Sequence, residues 1–484
     1  MPDWTDLAGA LLPTSPSDAT GGQSRPGGDK FVTGEKLLVF PKGTMSASIS
    51  SLSSQTALKQ SSIASASDFD PQGDGGLSVA FQQSGANGLY FEELDALVVR
   101  DPLLLQGLSP ATLGGGPMPV IGDIHYVAPI TQAAPPKPAD FAPKDFKKLF
   151  DYLQRLTQML QASGLLEEGS EFQPQAQAVP VGVGVKTWGI DAVKAVTSTL
   201  TGKNIRVAII DTGIDPSHPD LAARIAGMKS FVPESIDDLI GHGTHVAGTV
   251  AGPRTGAPLN YGIAPEASLY IAKVFGQNGT GGTDIEIMGA IRWSIQNDCT
   301  VANLSLSGKY PLPQGTRFDP AFDQLAQNAL SSGLVLVAAS GNLSQRPGTV
   351  NFVGHPANCP HVIAVGAISQ NRQLAAFSNA GQADPSNGQI DYVAPGENIA
   401  SARPRTIPLP PFMSPVPGFP NGYGFSQGTS MAAPHVSGLA ALLAQKFGIR
   451  GIQLLQALAL AEVDKLGGLP TVDIGFGMPI AIQS

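Results

Sequence analysis

Short runs of β-branched and apolar residues alternate with helical patterns from about residue 184 to the C-terminus. The strand candidates are IRVAIID, ASLYIAKVF, CTVANLSL, GLVLVAAS and HVIAVGAI. The helix candidates are DAVKAVTSTL, GTHVAGTVAG, TDIEIMGAIRWSIQND, DPAFDQLAQNALSSG and the segment that follows Ser430. Continuous apolar strands that alternate with helices are typical of a buried parallel sheet. We therefore predict a doubly wound α/β unit over residues 184–484, with a mostly parallel sheet and helices on both faces.

The first part of the chain is organised differently. Residues 1–29 are rich in Gly, Pro, Ser and Asp, a composition that predicts disorder. Residues 30–130 contain the strand-like segments FVTGEKLLVFPKG, LDALVVRDP and GDIHYVAPI, which predict a small α+β domain closed by the last of them. Residues 131–183 form a Pro-rich linker, in which KDFKKLFDYLQRLTQMLQASG has the apolar spacing of one amphipathic helix.

Charge and hydropathy exclude two classes of partner. The net charge of −9 argues against a nucleic-acid binder, which would carry a basic patch or stripe. No apolar run reaches the roughly 18 residues that a membrane span needs. The N-terminus lacks the basic segment and apolar run of a secretory signal, so we predict a chain that is cytoplasmic as translated, with export by another route left open.

Four polar residues follow strand ends or begin helices in the C-terminal part. Asp211 ends IRVAIID, His242 lies in GHGTHVAG, Asn342 lies in AASGNLS, and Ser430 lies in GTSMAAPHVSG. In open parallel sheets, ligands bind beyond the carboxyl ends of the strands. Each residue alone has a structural alternative, such as a turn Asp or Asn or a helix N-cap Ser. Together they match acyl transfer, which needs a hydroxyl nucleophile, an imidazole base, an orienting carboxylate and an oxyanion donor.

The segments IIDTGIDPSHPDL, GHGTHVAGTVAG, AASGNLS and GTSMAAPHVSG resemble the signature segments of the subtilisin family of serine peptidases. They occur in the family's order, and the resemblance covers about residues 180–484. It implies that Asp211 orients the imidazole, that His242 is the general base and then the acid, and that Ser430 attacks the scissile carbonyl. Asn342 and the Ser430 backbone N–H would then hold the oxyanion, with no cofactor required for the chemistry. Two other histidines of these segments, His245 and His435, are expected to be structural.

The resemblance extends to substrate binding. ANLSLSGKY is similar to the family's substrate strand, and GQNGTGG to the strand opposite it. The backbone groups expected to contact an extended peptide are those of Ser305, Leu306, Ser307, Gly279 and Gly281, with Gly354 at the floor of the primary pocket. These matches imply a neutral, apolar side chain ahead of the cut. The family usually has Gly at the position of Ser307, so the pocket rim is expected to be narrower here.

Some features depart from the family pattern. The loop GPRTGAPLNYGIAP stands where many members bind calcium but lacks their Asn-rich pattern. Asp220 matches a frequent calcium ligand, yet one carboxylate does not make a site of six to eight oxygens, so structural calcium stays an open question. A long Pro-rich insertion at 403–420 precedes the nucleophile and is interpreted as a rim or lid of the active site. The family's strand order separates Cys299 from Cys359 by a third strand, so we expect free thiols.

KLLVFPKGT, LDALVVRDP and GDIHYVAPI also resemble the strands of the family's inhibitory prosegment. This implies a self-inhibited zymogen whose own prodomain is its partner, with a maturation cut between residues 130 and 184. The expected substrates are proteins or peptides, and the expected state is a monomer. The alternative is a catalytically inert relative that serves as a binding or scaffolding protein, which a serine-directed phosphonate would distinguish.

Overall fold

The structure is a computed structural model that describes residues 32–69, 76–106, 108, 118–125, 127–129, 184–277, 282–308, 317–384 and 387–483. The predicted disordered N-terminus and the predicted linker with its amphipathic helix lie outside the described residues. Gly279 and Gly281 also lie outside them. Within the described part of the chain, no helix combines the length and the apolar character that crossing a membrane requires.

The N-terminal unit is a five-stranded sheet in the order β2-β3-β4-β1-β5, with two helices. All strand pairs are antiparallel except β2 with β3. Its elements are β1 (Val32–Val39), α1 (Met45–Gln55), β2 (Ile63–Ser65), α2 (Leu77–Gln83), β3 (Gly88–Phe91), β4 (Ala96–Val99) and β5 (Val120–His125). The sheet is covered on both faces, because alternate residues of β1 join two different apolar clusters.

Helix α1 covers one face of this sheet, in a serine-rich stretch for which the sequence predicts no helix. Met45, Ile49 and Leu52 are buried and recur at helical spacing, and Ser48 is buried with them. These residues pack with Leu38 in the smaller cluster, whereas Leu37 on the opposite face belongs to the main core. The N-terminal unit therefore shares its hydrophobic core with the rest of the molecule.

The C-terminal unit contains a seven-stranded sheet in the order β16-β15-β14-β12-β8-β11-β9, and all of its pairs are parallel. The predicted α/β fold is therefore confirmed. Its strands are β8 (Arg206–Asp211), β9 (Ile225–Ser230), β11 (Ser268–Lys273), β12 (Val301–Leu304), β14 (Val335–Ala339), β15 (Val362–Ile368) and β16 (Tyr392–Pro395). The edge strands β9 and β16 are absent from the sequence-based candidates.

The helices of the C-terminal unit are α3 (Trp188–Ala192), α4 (His242–Ala251), α5 (Asp284–Gln296), α6 (Pro320–Ser331), α7 (Thr429–Phe447), α8 (Gly451–Ala459) and α9 (Thr471–Ile474). The predicted helix DAVKAVTSTL is wrong, because Lys194 is left-handed at φ 54° and only a 3-10 turn, Ala195–Thr197, follows it. Helix α7 packs against α4 and against five strands of the sheet, β8, β12, β14, β15 and β16.

Smaller sheets complete the unit. They contain β6 (Val127–Pro129), β7 (Val185–Lys186), β10 (Leu259–Asn260), β13 (Leu306–Gly308), β17 (Ile399–Ala402), β18 (Ser414–Val416), β19 (Phe419–Ser426), β20 (Val463–Asp464) and β21 (Met478–Pro479). Cys299 and Cys359 are buried free thiols with β14 between their strands, as predicted.

Candidate active site

Asp211 and His242 form a buried hydrogen-bonded pair at the carboxyl edge of the sheet. Asp211 is the last residue of β8, and His242 is the first residue of α4. The His242 Nδ1–H donates to Asp211 Oδ1 at 2.7 Å, and the Thr212 N–H donates to the same oxygen at 2.7 Å. A carboxylate at Nδ1 holds the proton on that nitrogen and leaves the lone pair on Nε2. His242 is therefore in the tautomer that a general base requires.

Asp238 fixes this pair, and the sequence analysis missed it. Its carboxylate accepts hydrogen bonds from the Thr212 hydroxyl at 2.8 Å, the Gly241 N–H at 2.7 Å and the Thr244 N–H at 2.8 Å. The last two donors belong to the start of α4, where helix N–H groups lack intrahelical partners. Asp238 thus joins the segment after Asp211 to the helix that begins with His242. Its position shortly before GHGTH is the available signal, because acidic residues favour helix N-termini.

Ser430 is the second residue of α7 and is fully buried. The N-cap is Gly428 at φ 148°, so Ser430 lies inside the first turn and is not the capping residue. Its hydroxyl donates to the Ser305 carbonyl at 3.0 Å. Ser430 is therefore next to the strand that the sequence assigns to substrate binding.

Pro434 explains a second bond between α7 and this strand. A proline inside a helix has no N–H for the carbonyl four residues earlier, which here is Ser430. The Ser305 hydroxyl donates to that carbonyl at 2.8 Å. Asn303 donates in turn to the Ser305 hydroxyl at 2.9 Å, and Ser437 donates to Asn303 at 2.8 Å. This buried chain positions the first turn of α7, and the sequence analysis missed Asn303 and Ser437.

Asn342 presents a buried amide donor near the same turn. Its Oδ1 accepts bonds from the Thr429 N–H and the Thr429 hydroxyl, both at 2.9 Å. These two bonds fix which end of the amide carries the NH₂ group. The Asn342 Nδ2 is buried and has no hydrogen-bond partner among the described residues. Buried donors are normally paired, so an unpaired one is a candidate binding group for an oxyanion.

A strand from the N-terminal part lies on the predicted substrate strand. Strand β6 pairs antiparallel with β13, with Ser307 opposite Ala128 and Leu306 opposite Pro129. On the other side, the Val127 N–H donates to the Gly282 carbonyl at 2.7 Å. GDIHYVAPI therefore does not form one closing strand of the N-terminal unit, because only its first part pairs with β1. Its last part binds the cleft as an extended peptide would.

Gly354 lies beside this strand, at the predicted floor of the primary pocket. Its N–H donates to the Ser340 carbonyl at 3.0 Å, and the Gly308 N–H donates to the His355 carbonyl at 2.6 Å. These bonds connect the floor to both flanking segments of the cleft.

His245 and His435 are buried within helices α4 and α7, and both bond to backbone carbonyls. His245 donates from Nε2 to the carbonyls of Ile399 at 2.9 Å and Gly424 at 3.1 Å. Burial lowers the pKa of His245 to about 3 and that of His435 to about 4, so both are neutral. Both have the structural character that the sequence analysis predicts.

The Asp220 carboxylate has protein donors. Its Oδ2 accepts from the Tyr261 hydroxyl at 2.8 Å and from the Tyr423 hydroxyl at 2.9 Å. In the adjacent loop, the buried Arg254 guanidinium donates to the Ile263 and Leu200 carbonyls at 2.9 and 2.6 Å. In the loop where a calcium site was an open question, the positive charge that bonds to backbone carbonyls is thus the Arg254 guanidinium.

The Pro-rich insertion joins β17 to β19 and contains β18. The Phe412 ring lies 6.4 Å from the His242 ring, centroid to centroid. Pro410 approaches Gly241 so closely that a Cβ there would fall 2.8 Å from Pro410 Cγ, and Gly241 has φ 98°. The insertion is therefore in contact with the start of α4.

Comparison with known proteins gives the family. The sequence model of the Subtilase family matches residues 202–478, more than half of the chain. The chain belongs to the subtilase family. Subtilisin E of Bacillus subtilis is 40% identical over 287 residues, which cover 58% of this chain and 65% of subtilisin E. The subtilisin of Bacillus pumilus is 40% identical over 277 residues, 56% of this chain and 86% of the relative.

Two further relatives complete the comparison. The major intracellular serine protease of Bacillus subtilis is 39% identical over 265 residues, 53% of this chain and 74% of that protein. Among solved structures, the crystal structure of a cold adapted subtilisin-like serine proteinase matches with a TM-score of 0.47 and 28% sequence identity. The match covers 62% of this chain and 99% of that protein's chain. This subtilase thus spans slightly less than two thirds of the length of subtilisin E.

Proposed function

We propose that this subtilase is a serine endopeptidase that hydrolyses peptide bonds of proteins and peptides through an acyl-enzyme. The observation that carries the proposal is the peptide-like pairing of β6 with β13, next to a Ser430 hydroxyl 3.0 Å from the Ser305 carbonyl. An extended chain in that position brings a carbonyl to the start of α7. The membership of the subtilase family supports the same reaction.

In the first half of the reaction, Ser430 Oγ attacks the scissile carbonyl carbon while His242 Nε2 takes the hydroxyl proton. Asp211 stabilises the imidazolium that forms, through the 2.7 Å bond to Nδ1. The developing oxyanion accepts bonds from Asn342 Nδ2 and the Ser430 backbone N–H. The tetrahedral intermediate then collapses, the C–N bond breaks, and His242 gives the proton to the leaving amine.

In the second half, water replaces the leaving peptide. His242 removes a proton from the water as its oxygen attacks the acyl carbon, and the same donors hold the second oxyanion. Collapse breaks the bond to Ser430 Oγ, which regains its proton from His242. The carboxylate product leaves, and every group returns to its starting protonation state.

We further propose that the N-terminal unit is an inhibitory prodomain and that the full chain is a zymogen. Strand β6 occupies the positions of a bound substrate, which prevents another peptide from binding. The register pairs Pro129 with Leu306, so the next residue of a chain in this orientation would be opposite Ser305. We therefore expect the maturation cut shortly after Pro129, at the near end of the range 130–184.

The contacts of the N-terminal unit support its role as an inhibitor. Three carboxylates of the C-terminal unit accept backbone N–H groups from it. Asp284 accepts from His125 at 2.8 Å, Asp319 from Asp123 at 3.0 Å, and Glu286 from Ser78 at 3.0 Å. Because the donors are backbone groups, the binding depends on the shape of the N-terminal unit.

The test is the intact mass of the purified protein over time, for the natural sequence, for Ser430→Ala and for Ser331→Ala. Ser331 is an exposed serine at the end of α6 and serves as the matched control. We expect the natural chain and Ser331→Ala to shorten to a species that begins shortly after Pro129, while Ser430→Ala stays whole. Equal cutting of all three would indicate a contaminating protease.

Labelling with a serine-directed phosphonate tests the chemistry independently of processing. We expect one label per chain on Ser430 in the processed protein and none in Ser430→Ala. A processed protein that stays unlabelled would contradict the endopeptidase and favour an inert binding protein. All of the proposed catalytic groups come from one chain, so we also propose a monomer, which light scattering of the processed protein would test.

A further inference from the structure

The side chain of Ser307 is directed into the cleft beside the proposed active site. Ser307 is the middle residue of β13 and is 6% exposed. A Cβ placed on Gly354 would fall 2.3 Å from the Ser307 Oγ, and a Cβ placed on Gly341 would fall 3.6 Å from it. The hydroxyl therefore occupies the space between these two glycines, where a side chain of a bound peptide would otherwise fit.

The walls of this space are held in place, so they cannot easily retreat from a larger ligand. The Gly308 N–H donates to the His355 carbonyl at 2.6 Å, which ties β13 to the floor segment. The His355 Nε2–H donates in turn to the buried Asp284 at 2.9 Å. The Gly341 N–H donates to the Thr429 hydroxyl at 3.1 Å on the opposite side.

The register of β6 on β13 identifies the substrate residue that meets Ser307. Ala128 is opposite Ser307 and Pro129 is opposite Leu306, so the following residue of a bound peptide is opposite Ser305. Side chains alternate along a strand, and residues opposite each other share a face. This residue, opposite Ser305, is the one whose carbonyl reaches Ser430. Because Ser305 and Ser307 are two positions apart along the predicted substrate strand, its side chain is on the same face of the pair as the Ser307 hydroxyl.

We propose that Ser307 determines the primary specificity of the enzyme, by making the pocket too shallow for aromatic side chains. The preferred substrates are peptides with a small or medium aliphatic residue, such as Ala or Val, immediately before the cleaved bond. This inference rests on the proposed endopeptidase function and adds the substrate class. One methylene in an apolar pocket changes kcat/KM by about 10–200-fold, so the CH₂OH group that Ser307 adds relative to glycine is enough to discriminate.

The experiment uses the self-processed protein and the substrates succinyl-Val-Ala-Pro-Xaa-p-nitroanilide, in which Xaa is Ala, Val, Phe or Tyr. The first three residues copy β6, so that only the tested side chain varies. The quantity measured is the ratio of kcat/KM for Phe to that for Ala. We expect a ratio below about 0.1 for the natural sequence and at least a 10-fold increase for Ser307→Gly. Ser331→Gly is the control and should leave the ratio unchanged.

Ser307→Ala keeps the Cβ, removes only the hydroxyl and serves if the glycine variant does not fold. A smaller increase of the ratio is expected for it. Phosphonate titration gives the concentration of active Ser430 in each sample and separates the two proposals. A titratable natural enzyme that prefers Phe, or variants that titrate with an unchanged ratio, would overturn the role of Ser307 alone. A protein that neither titrates nor cleaves any substrate would overturn both proposals.

Discussion

Among the described residues, two fully buried carboxylates accept hydrogen bonds from imidazoles, and they differ in what the imidazoles connect. Asp211 accepts from one imidazole, that of His242, at 2.7 Å, within the C-terminal unit. Asp284 accepts from His355 at 2.9 Å and from His125 of the N-terminal unit at 3.0 Å. The rings of His125 and His355 are stacked with their centroids 4.2 Å apart. The same bond orients a proposed catalytic group in the first case and joins two units in the second.

The comparison teaches that a buried carboxylate–imidazole pair does not by itself indicate catalysis. The proposed catalytic role of Asp211 depends on Ser430 and Asn342, which the fold brings to the same edge of the sheet. Asp284 has a neighbourhood of apolar packing, because the Phe322 ring lies 4.6 Å from the His355 ring, centroid to centroid. Four predictions follow, from the largest expected effect to the smallest, and the first three test this division.

Asp211→Asn in the processed enzyme is expected to lower kcat by about 10⁴-fold, because an amide favours the wrong imidazole tautomer. The measurement is kcat from steady-state hydrolysis of a Val-Ala-Pro-Ala anilide. Asp284→Asn in the same processed enzyme should lower kcat by less than about 10-fold, since it lacks a reacting neighbour. Equal losses in both variants would show that the two pairs are not divided in this way.

Asp284→Asn in the uncut Ser430→Ala background is expected to lower the free energy of unfolding by about 3 kcal/mol. The substitution removes the charge that accepts bonds from two buried imidazoles, and breaking a buried pair of this kind costs roughly 3–5 kcal/mol. Chemical denaturation of the full chain measures the change. The matched control is Asp323→Asn, which breaks a more exposed pair with His361 at 2.9 Å and should cost less.

The binding of the N-terminal unit is expected to weaken as the pH rises. Burial alone would lower the pKa of His125, but the bond to Asp284 and the charges of Asp284, Asp319 and Asp123 outweigh burial and raise it. The other groups facing it are His355, and Lys36 through its bond to Asp123. Because the pKa of His125 is higher when the N-terminal unit is bound, protonated His125 contributes fully to binding below about pH 6.5, its ordinary pKa. This contribution is lost as the pH rises through the raised pKa of the bound state.

Hydrogen exchange of the uncut Ser430→Ala chain between pH 5 and pH 9 measures this effect. After correction for the intrinsic exchange rate, the protection of the β5 backbone amides should fall with rising pH in the chain that keeps His125. In His125→Asn, which cannot titrate, the slope should disappear. A slope that persists in the variant would contradict the role of His125.

Removal of calcium is expected to have the smallest effect. Asp220 accepts two tyrosine hydroxyls, and the Arg254 guanidinium bonds to carbonyls of the neighbouring loop. We predict that the midpoint of thermal unfolding of the processed enzyme changes by less than about 1 °C between excess EDTA and excess calcium. A rise of several degrees with calcium would show that a cation binds and that this loop resembles those of calcium-binding relatives.

Much of the α/β fold could be predicted because its strands are continuous apolar runs between helices. The edge strands β9 and β16 could not, since IAGMKS and YVAP are short or half polar. The motifs identified Asp211, His242, Asn342 and Ser430, whose roles are proposals. Asp238 and Asn303 act through other residues. The position of Asp238 before a helix start is a weak signal for it, and no motif marks the contacts of Asn303.

The division of GDIHYVAPI between two sheets also could not be predicted. Alternation of apolar residues gives the same pattern for one long strand as for two short strands that pair with different partners. Helix α1 could not be predicted for a different reason. Its apolar residues are few and serine has only moderate helix propensity, so packing against the sheet decides the conformation.

The attachment of β6 to the N-terminal unit has a consequence for how activation depends on dilution. In its proposed inhibitory role, the N-terminal unit of the whole chain is tethered to its own cleft, and a competing substrate meets it at an effective concentration in the millimolar range. A single cut after β6 converts this into an ordinary equilibrium between two separate molecules. The cut enzyme would then stay silent in a concentrated sample and become active when it is diluted, without any further chemical event.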